Sequence, residues 1–140
     1  MMKQCHEKKK VLFICTHNSA RSHMAEGLMN ALYGDRYEAF SAGIEPSGVN
    51  PFAIEAMADL GIDISHHRSK GLEPFINQAF DYVVTVCDHA NEVCPFFPGG
   101  KERLHKSFRD PASFPGTDEE KRDLFRLTRD EIRKWIEETF

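Results

Sequence analysis

No apolar run in this chain approaches the roughly 20 residues that a bilayer-spanning helix needs, so membrane insertion is not expected. Positive charge is not in excess either. Eighteen Lys and Arg against 22 Asp and Glu leave a formal net charge of −4, which argues against general nucleic-acid binding and leaves Lys8, Lys9 and Lys10 as a solvated lead-in to the first strand. Internal repeats and low-complexity tracts are missing. Met1 to Lys10 has no apolar h-region and reads as neither signal peptide nor anchor; residues 1–8 are expected to be a mobile leader, 9–140 a single domain, and the cytoplasm the default compartment. Cysteine is scarce, at four. In a reducing compartment that number argues against a disulfide framework and for catalysis, redox work or metal binding. Neither C-x2-C nor H-x3-H spacing occurs, so His89 between Cys87 and Cys94 does not make a closed zinc site, and no metal is expected.

What the chain does have is Cys15-Thr16-His17-Asn18-Ser19-Ala20-Arg21, followed by Ser22 and preceded by the apolar run Val11 to Ile14. A loop closing between a strand and a helix turns successive backbone N–H groups inward, and the helix N-terminus adds orphan donors and partial positive charge. That makes a cradle for a tetrahedral oxyanion. Arg21 offers a planar fork for two of its oxygens, and the same field favours the Cys15 thiolate. Nucleophile and anion are thereby set side by side.

Elsewhere the pattern alternates strands with helices. Val11 to Ile14, Tyr37 to Ala42, Tyr82 to Val86 and Arg103 to Phe108 are the strand candidates. Ser22 to Tyr33 is predicted helical, with Met24, Ala25, Leu28, Met29, Ala31 and Leu32 on its apolar side. Pro51 to Leu60 is a second helix with Asn50 as N-cap. One or two turns are expected around Leu72 to Gln78, a loop over 95–100, and a long amphipathic helix over Asp118 to Glu138 carrying Leu124, Phe125, Leu127, Ile132, Trp135 and Ile136. The order implies an α/β fold of three layers, a central four-stranded parallel sheet flanked by helices. Such sheets bind ligands beyond the carboxyl ends of their strands. Cys15 follows the first strand, Cys87 the third and Asp110 the last, so neighbouring strands would bring all three to one edge.

Cys15-x5-Arg21-Ser22, Cys87-x6-Cys94 and Asp110-Pro111, in that order, resemble the thioredoxin-coupled arsenate reductases, which share the fold of the low-molecular-weight protein tyrosine phosphatases. The likeness runs from about Lys9 to the C-terminus and includes Ser41-Ala42-Gly43, Gly61-Ile62-Asp63-Ile64-Ser65 and Val83-Val84-Thr85-Val86-Cys87. The resemblance implies that arsenate, or phosphate or sulfate as mimics, binds the loop formed by Thr16, His17, Asn18, Ser19, Ala20, Arg21 and Ser22. It implies Cys15 as nucleophile, Asp110 as general acid, and a disulfide relay from Cys15 through Cys87 to Cys94 that thioredoxin reduces. No tightly bound cofactor and a monomer are expected. A glutaredoxin or a small thiol stays open as the donor.

Bland readings stand beside these. Asp110-Pro111 also makes a turn; Ser22 is also an N-cap; His17 either meets the anion or points to solvent; Phe96 and Phe97 either dock a partner or pack under their loop. Cys5 is read as idle, and His66, His67 and His105 as surface residues. Asn18, Glu26 and Ser41 match a potassium site of some relatives, but Arg68 and Lys70 replace its last two ligands, so no potassium requirement is expected. The competing activity is a phosphatase on the same loop, against which Ala112-Ser113-Phe114 stands where tyrosine phosphatases of this fold carry tyrosines. A non-enzymatic oxyanion-binding or thiol-sensing module is the third reading.

Overall fold

The computed structural model describes residues 8–93 and 97–140; the leader before Lys8, with Cys5, and the positions of Cys94 and Phe96 lie outside them. Four parallel strands form one sheet in the order β2-β1-β3-β4: β1 Lys9–Cys15, β2 Tyr37–Gly43, β3 Phe80–Thr85 and β4 Gly100–His105. Parallel neighbours need a crossover between them. Helices α1 Arg21–Tyr33, α2 Pro51–Ala58 and α3 Asp88–Val93 supply the intervening segments, and α4 Asp118–Thr139 closes the chain. Among the described residues no helix is long and apolar enough to cross a membrane.

β1 is central because nothing in it beyond Lys9 and Lys10 needs water. Val11, Leu12, Phe13 and Ile14 are fully buried, and since successive side chains of a strand point to opposite faces, both faces of the sheet must be covered there. The register pairs Ile14 with Ala42 on one side and with Thr85 on the other. Strands β1 and β3 are therefore neighbours, as convergence of Cys15 and Cys87 requires.

Helix α4 starts at a reciprocal cap: Thr117 Oγ1 accepts from Glu120 N, and Glu120 Oε1 accepts from Thr117 N. Asp118, Glu119 and Glu120 add negative charge at its positive end. Phe125, Thr128, Ile132 and Ile136 form its buried stripe at helical spacing. Arg129, buried with them, donates to Ala56 O at 2.7 Å and so satisfies a carbonyl near the end of α2.

Several expectations need correction. Leu32 and Leu127 are exposed, and Ala31 with them: each sits at the margin of an amphipathic face where sequence spacing alone does not tell core from rim. The last strand begins at Gly100 and ends at His105, because as an edge strand it takes its register from β3 rather than from an apolar pattern. Phe108, read as its end, lies beyond it, although its N–H still bonds Val86 O. The turns expected around Leu72 to Gln78 are present, closed by Phe75 N to Leu72 O and Gln78 N to Phe75 O. Helix α3 was not anticipated. Phe97 is buried and packs into the core.

Candidate active site

At the carboxyl end of β1 the chain turns through residues 15–20 before α1 begins at Arg21. The segment after β2 holds this loop from outside: Ile44, Glu45, Ser47 and Asn50 donate their N–H groups to the carbonyls of Cys15, Thr16, His17 and Ser19. In a trans peptide the N–H lies opposite the C=O. Turning those carbonyls outward therefore aims the amides of Thr16, His17, Asn18 and Ala20 inward, into a cradle of donors. Asn18 takes the left-handed conformation, φ 47°, which Asn tolerates better than most residues.

Gly43, at the end of β2, lets this loop approach. A Cβ there would lie 2.6 Å from Asn18 N and 2.9 Å from His17 C, both backbone atoms that cannot give way cheaply. Gly43→Ala is expected to push the loop out of shape, lowering stability by about 1–3 kcal/mol and weakening phosphate binding. Urea unfolding and calorimetric phosphate titration check this; wild-type values in both would show that the close approach does not matter.

The Cys15 sulfur is buried and receives two hydrogens. Asn18 N–H reaches it at 3.2 Å, and Ser22 Oγ lies 2.9 Å away. Lys70 N–H donates to Asn18 Oδ1 at 2.7 Å, which fixes the amide orientation, and Asn18 Nδ2 then donates to Ser22 Oγ at 2.8 Å. With one of its two lone pairs so engaged, the Ser22 hydroxyl still has its own hydrogen to offer the sulfur. Ser22 is thus tied to Cys15 directly, and the helix has no side-chain N-cap at Ala20.

Arg21, largely buried, donates through Nη1 to Phe108 O at 3.1 Å and turns Nη2 towards Asp110 Oδ2 at 3.8 Å. Asp110 accepts from Ala112 N and caps the short 3-10 turn Pro111–Ser113. Asp110 Oδ1 thus closes the Asp-Pro turn, and that turn is what presents the second carboxylate oxygen to Arg21. His17 is exposed, with Nδ1 3.1 Å from Glu45 O.

Cys87 follows β3 and is buried, its sulfur 3.2 Å from Thr16 Oγ1. Cys15 and Cys87 are both free thiols. They stand at one edge of the sheet, the second against the loop headed by the first. Helix α3, which starts at Asp88, is tied to β4: Arg103 Nη2 donates to Asn91 O at 2.8 Å, and His105 bridges Asp88 Oδ1 at 3.1 Å and Thr85 Oγ1 at 2.9 Å. His105 is exposed, as expected of a surface residue, and serves there as a tether.

Sequence reasoning missed His23 and misplaced His67. His23, fully buried on α1, has Nδ1 3.0 Å from His67 Nδ1 and 3.3 Å from Ser41 Oγ. Ser41 Oγ donates to Glu26 Oε1. The available signal was position, since residue 23 adjoins the buried Met24 in a strongly apolar helix. Of the residues matching a potassium site, Asn18 Oδ1 is occupied by Lys70 N–H, and Lys70 Nζ donates to Arg68 O at 2.9 Å. Burial pushes His23 down to about 3, with the Lys70 ammonium and then His67 adding to the effect; burial lowers His67 as well.

A buried neutral histidine has a signed consequence. Its folded-state value lies below the ordinary 6.5, so the unfolded chain takes up the proton first as pH falls. Stability is complete above pH 6.5 and is lost on descending towards about 3. Between pH 6.5 and 5, above the carboxylate range, the slope from His23 approaches about 1.4 kcal/mol per pH unit. Glu26, His67, Lys70 and the Ser41 hydroxyl face it, and His67 acts in the same direction. Urea unfolding in the presence of chelator checks this, and a flat profile over that window would contradict it.

Comparison with known proteins agrees with this geometry. The family model for low molecular weight phosphotyrosine protein phosphatases matches residues 10–139. An arsenate reductase of Halalkalibacterium halodurans is 52% identical over 129 residues, covering 92% of this chain and 93% of that protein. Among solved structures, an arsenate reductase in its phosphate-binding state superposes with a TM-score of 0.80 at 32% identity, over 93% of this chain and 95% of the other. The thioredoxin-dependent arsenate reductase of Corynebacterium glutamicum gives 0.71 at 29% identity, over 96% of this chain and 63% of its own. Anion loop, sheet order and relatives together show that the chain belongs to the low molecular weight phosphotyrosine protein phosphatase family, in the company of its arsenate reductases.

Proposed function

We propose that this chain is an arsenate reductase that works through Cys15, Cys87 and Cys94 and is regenerated by thioredoxin. The observation that carries the reading is the second buried free thiol, Cys87, set against the anion loop through Thr16. A phosphatase needs only the loop, its cysteine, its arginine and an acid; a reductase needs another thiol within reach of the first. The arsenate reductases among its relatives support the same reading.

In this mechanism arsenate sits among the inward amides with Arg21 on two of its oxygens. The Cys15 thiolate attacks arsenic, and Asp110 protonates the oxygen that leaves as water. Cys87 then attacks the Cys15 sulfur. The electron pair of the sulfur–arsenic bond passes to arsenic, which departs as arsenite, while the two sulfurs are oxidised to a disulfide. Cys94 attacks Cys87, releases the Cys15 thiolate and leaves a Cys87–Cys94 disulfide. The thioredoxin dithiol reduces that bridge and takes the oxidation away. The enzyme works in the cytoplasm as a monomer, without a tightly bound cofactor and without a potassium requirement.

The test is NADPH oxidation in a mixture of the protein, arsenate, thioredoxin and thioredoxin reductase, run beside hydrolysis of an aryl phosphate. Arsenate-dependent oxidation that stops when thioredoxin is left out is the expected result. Rapid aryl phosphate hydrolysis without arsenate-dependent oxidation would make the protein a phosphatase.

A further inference from the structure

Away from the anion loop, His23 Nδ1, Glu26 Oε1 and His67 Nδ1 all lie within 4.8 Å of one another. The three separations are 3.0, 3.8 and 3.9 Å, and a triangle with those edges has a circumradius of about 2.1 Å, the length of a zinc–nitrogen or zinc–oxygen bond. One point in the plane of the three donors is therefore at bonding distance from all of them, and a tetrahedral ion, whose donors stand about 3.4 Å apart, needs only shifts of about half an ångström. We propose that His23, Glu26 and His67 form a binding site for a single zinc-class divalent ion, with the remaining coordination position open to water.

The donor chemistry selects the class. Two imidazoles and one carboxylate suit zinc, nickel or copper(II), whereas an alkali cation prefers an all-oxygen cage. Ser41 Oγ donates to Glu26 Oε1 and lies 3.3 Å from His23 Nδ1, holding two of the three donor atoms, while the buried His23 Nε2 has no hydrogen-bond partner. A surface cavity of about 350 Å³ lined by Gly27, Asp63, His66 and His67 brings solvent to the His67 side of the cluster. The ion takes the place of the hydrogen shared between the two Nδ1 atoms, and the imidazole that gives it up carries its hydrogen on Nε2 instead, so no net proton is released. Lys70 opposes binding, since its ammonium acts on both imidazoles. An ion here would tie α1 to the segment around His67 and Lys70, and Lys70 N–H in turn holds Asn18 of the anion loop.

The confounding ligands are the thiols, so the test separates nitrogen from sulfur. Reduced, chelator-stripped full-length protein is titrated with Co²⁺. The expected result is one equivalent with visible d–d bands and no near-ultraviolet thiolate charge transfer, retained in the Cys5→Ser/Cys15→Ser/Cys87→Ser/Cys94→Ser variant. His67→Gln and, independently, Glu26→Gln should each weaken binding at least about tenfold. Lys70→Met should tighten it severalfold. Loss of binding in the four-serine variant, or unchanged affinity in both His67→Gln and Glu26→Gln, overturns the proposal.

Discussion

Replacing Cys87 by serine will abolish multiple turnover with arsenate, lowering the steady-state rate by at least about a thousandfold, the scale on which loss of an essential nucleophile is felt. The substitution is conservative where the structure is concerned. Serine keeps a hydroxyl for the Thr16 contact now 3.2 Å from the Cys87 sulfur, so the loop should hold its shape and phosphate should bind within about threefold of wild type. What disappears is the electron pair that carries the Cys15 adduct forward. Slow aryl phosphate hydrolysis, which needs only Cys15, Arg21 and Asp110, should persist in the variant. Steady-state NADPH oxidation, phosphate calorimetry and phosphatase assays on one preparation test all three statements. Normal arsenate turnover by Cys87→Ser would rule out the relay.

Arg21→Lys is the second large effect, expected to lower kcat/KM for arsenate by about a hundred- to a thousandfold, or about 3–4 kcal/mol of transition-state stabilisation. Charge is kept, so the loss measures geometry. The guanidinium is positioned by Phe108 O at Nη1 and by Asp110 at Nη2. A lysine ammonium has neither the fork nor the reach to meet both anchors. Phosphate inhibition should weaken in parallel, because the same fork grips either oxyanion. A kcat/KM within threefold of wild type would show that Arg21 provides only a field.

The two variants divide the site as the sequence divides it. The anion loop was legible because its constraints are local: an apolar strand, a turn, a helix start, with Cys15 and Arg21 at the two ends. Cys87 and Asp110 became legible through the resemblance and the expected strand order, and the pairing of β1 with β3 places the strand ends that carry Cys15 and Cys87 side by side. Helix α3 was not readable. Its six residues, Asp88 to Val93, carry Asp, His and Asn, weak helix formers, and its ties come from Arg103 and His105, far along the chain. β4 was misplaced for a related reason: an edge strand of Gly-Lys-Glu-Arg-Leu-His shows little apolar alternation, and its ladder with β3 decides where it starts. His23 escaped notice because a histidine inside an apolar helix has no spacing signature. Its partners, Ser41 on β2 and the segment around His67, meet it only in the folded chain.

The relay itself is tested most directly by Cys94→Ser under single-turnover conditions. Reduced protein mixed with excess arsenate, without thioredoxin, should release one arsenite per chain and stop, and peptide mass mapping of the quenched product should find a Cys15–Cys87 disulfide. Release of no arsenite, or of one arsenite with Cys15 and Cys87 both still reduced, would contradict the account.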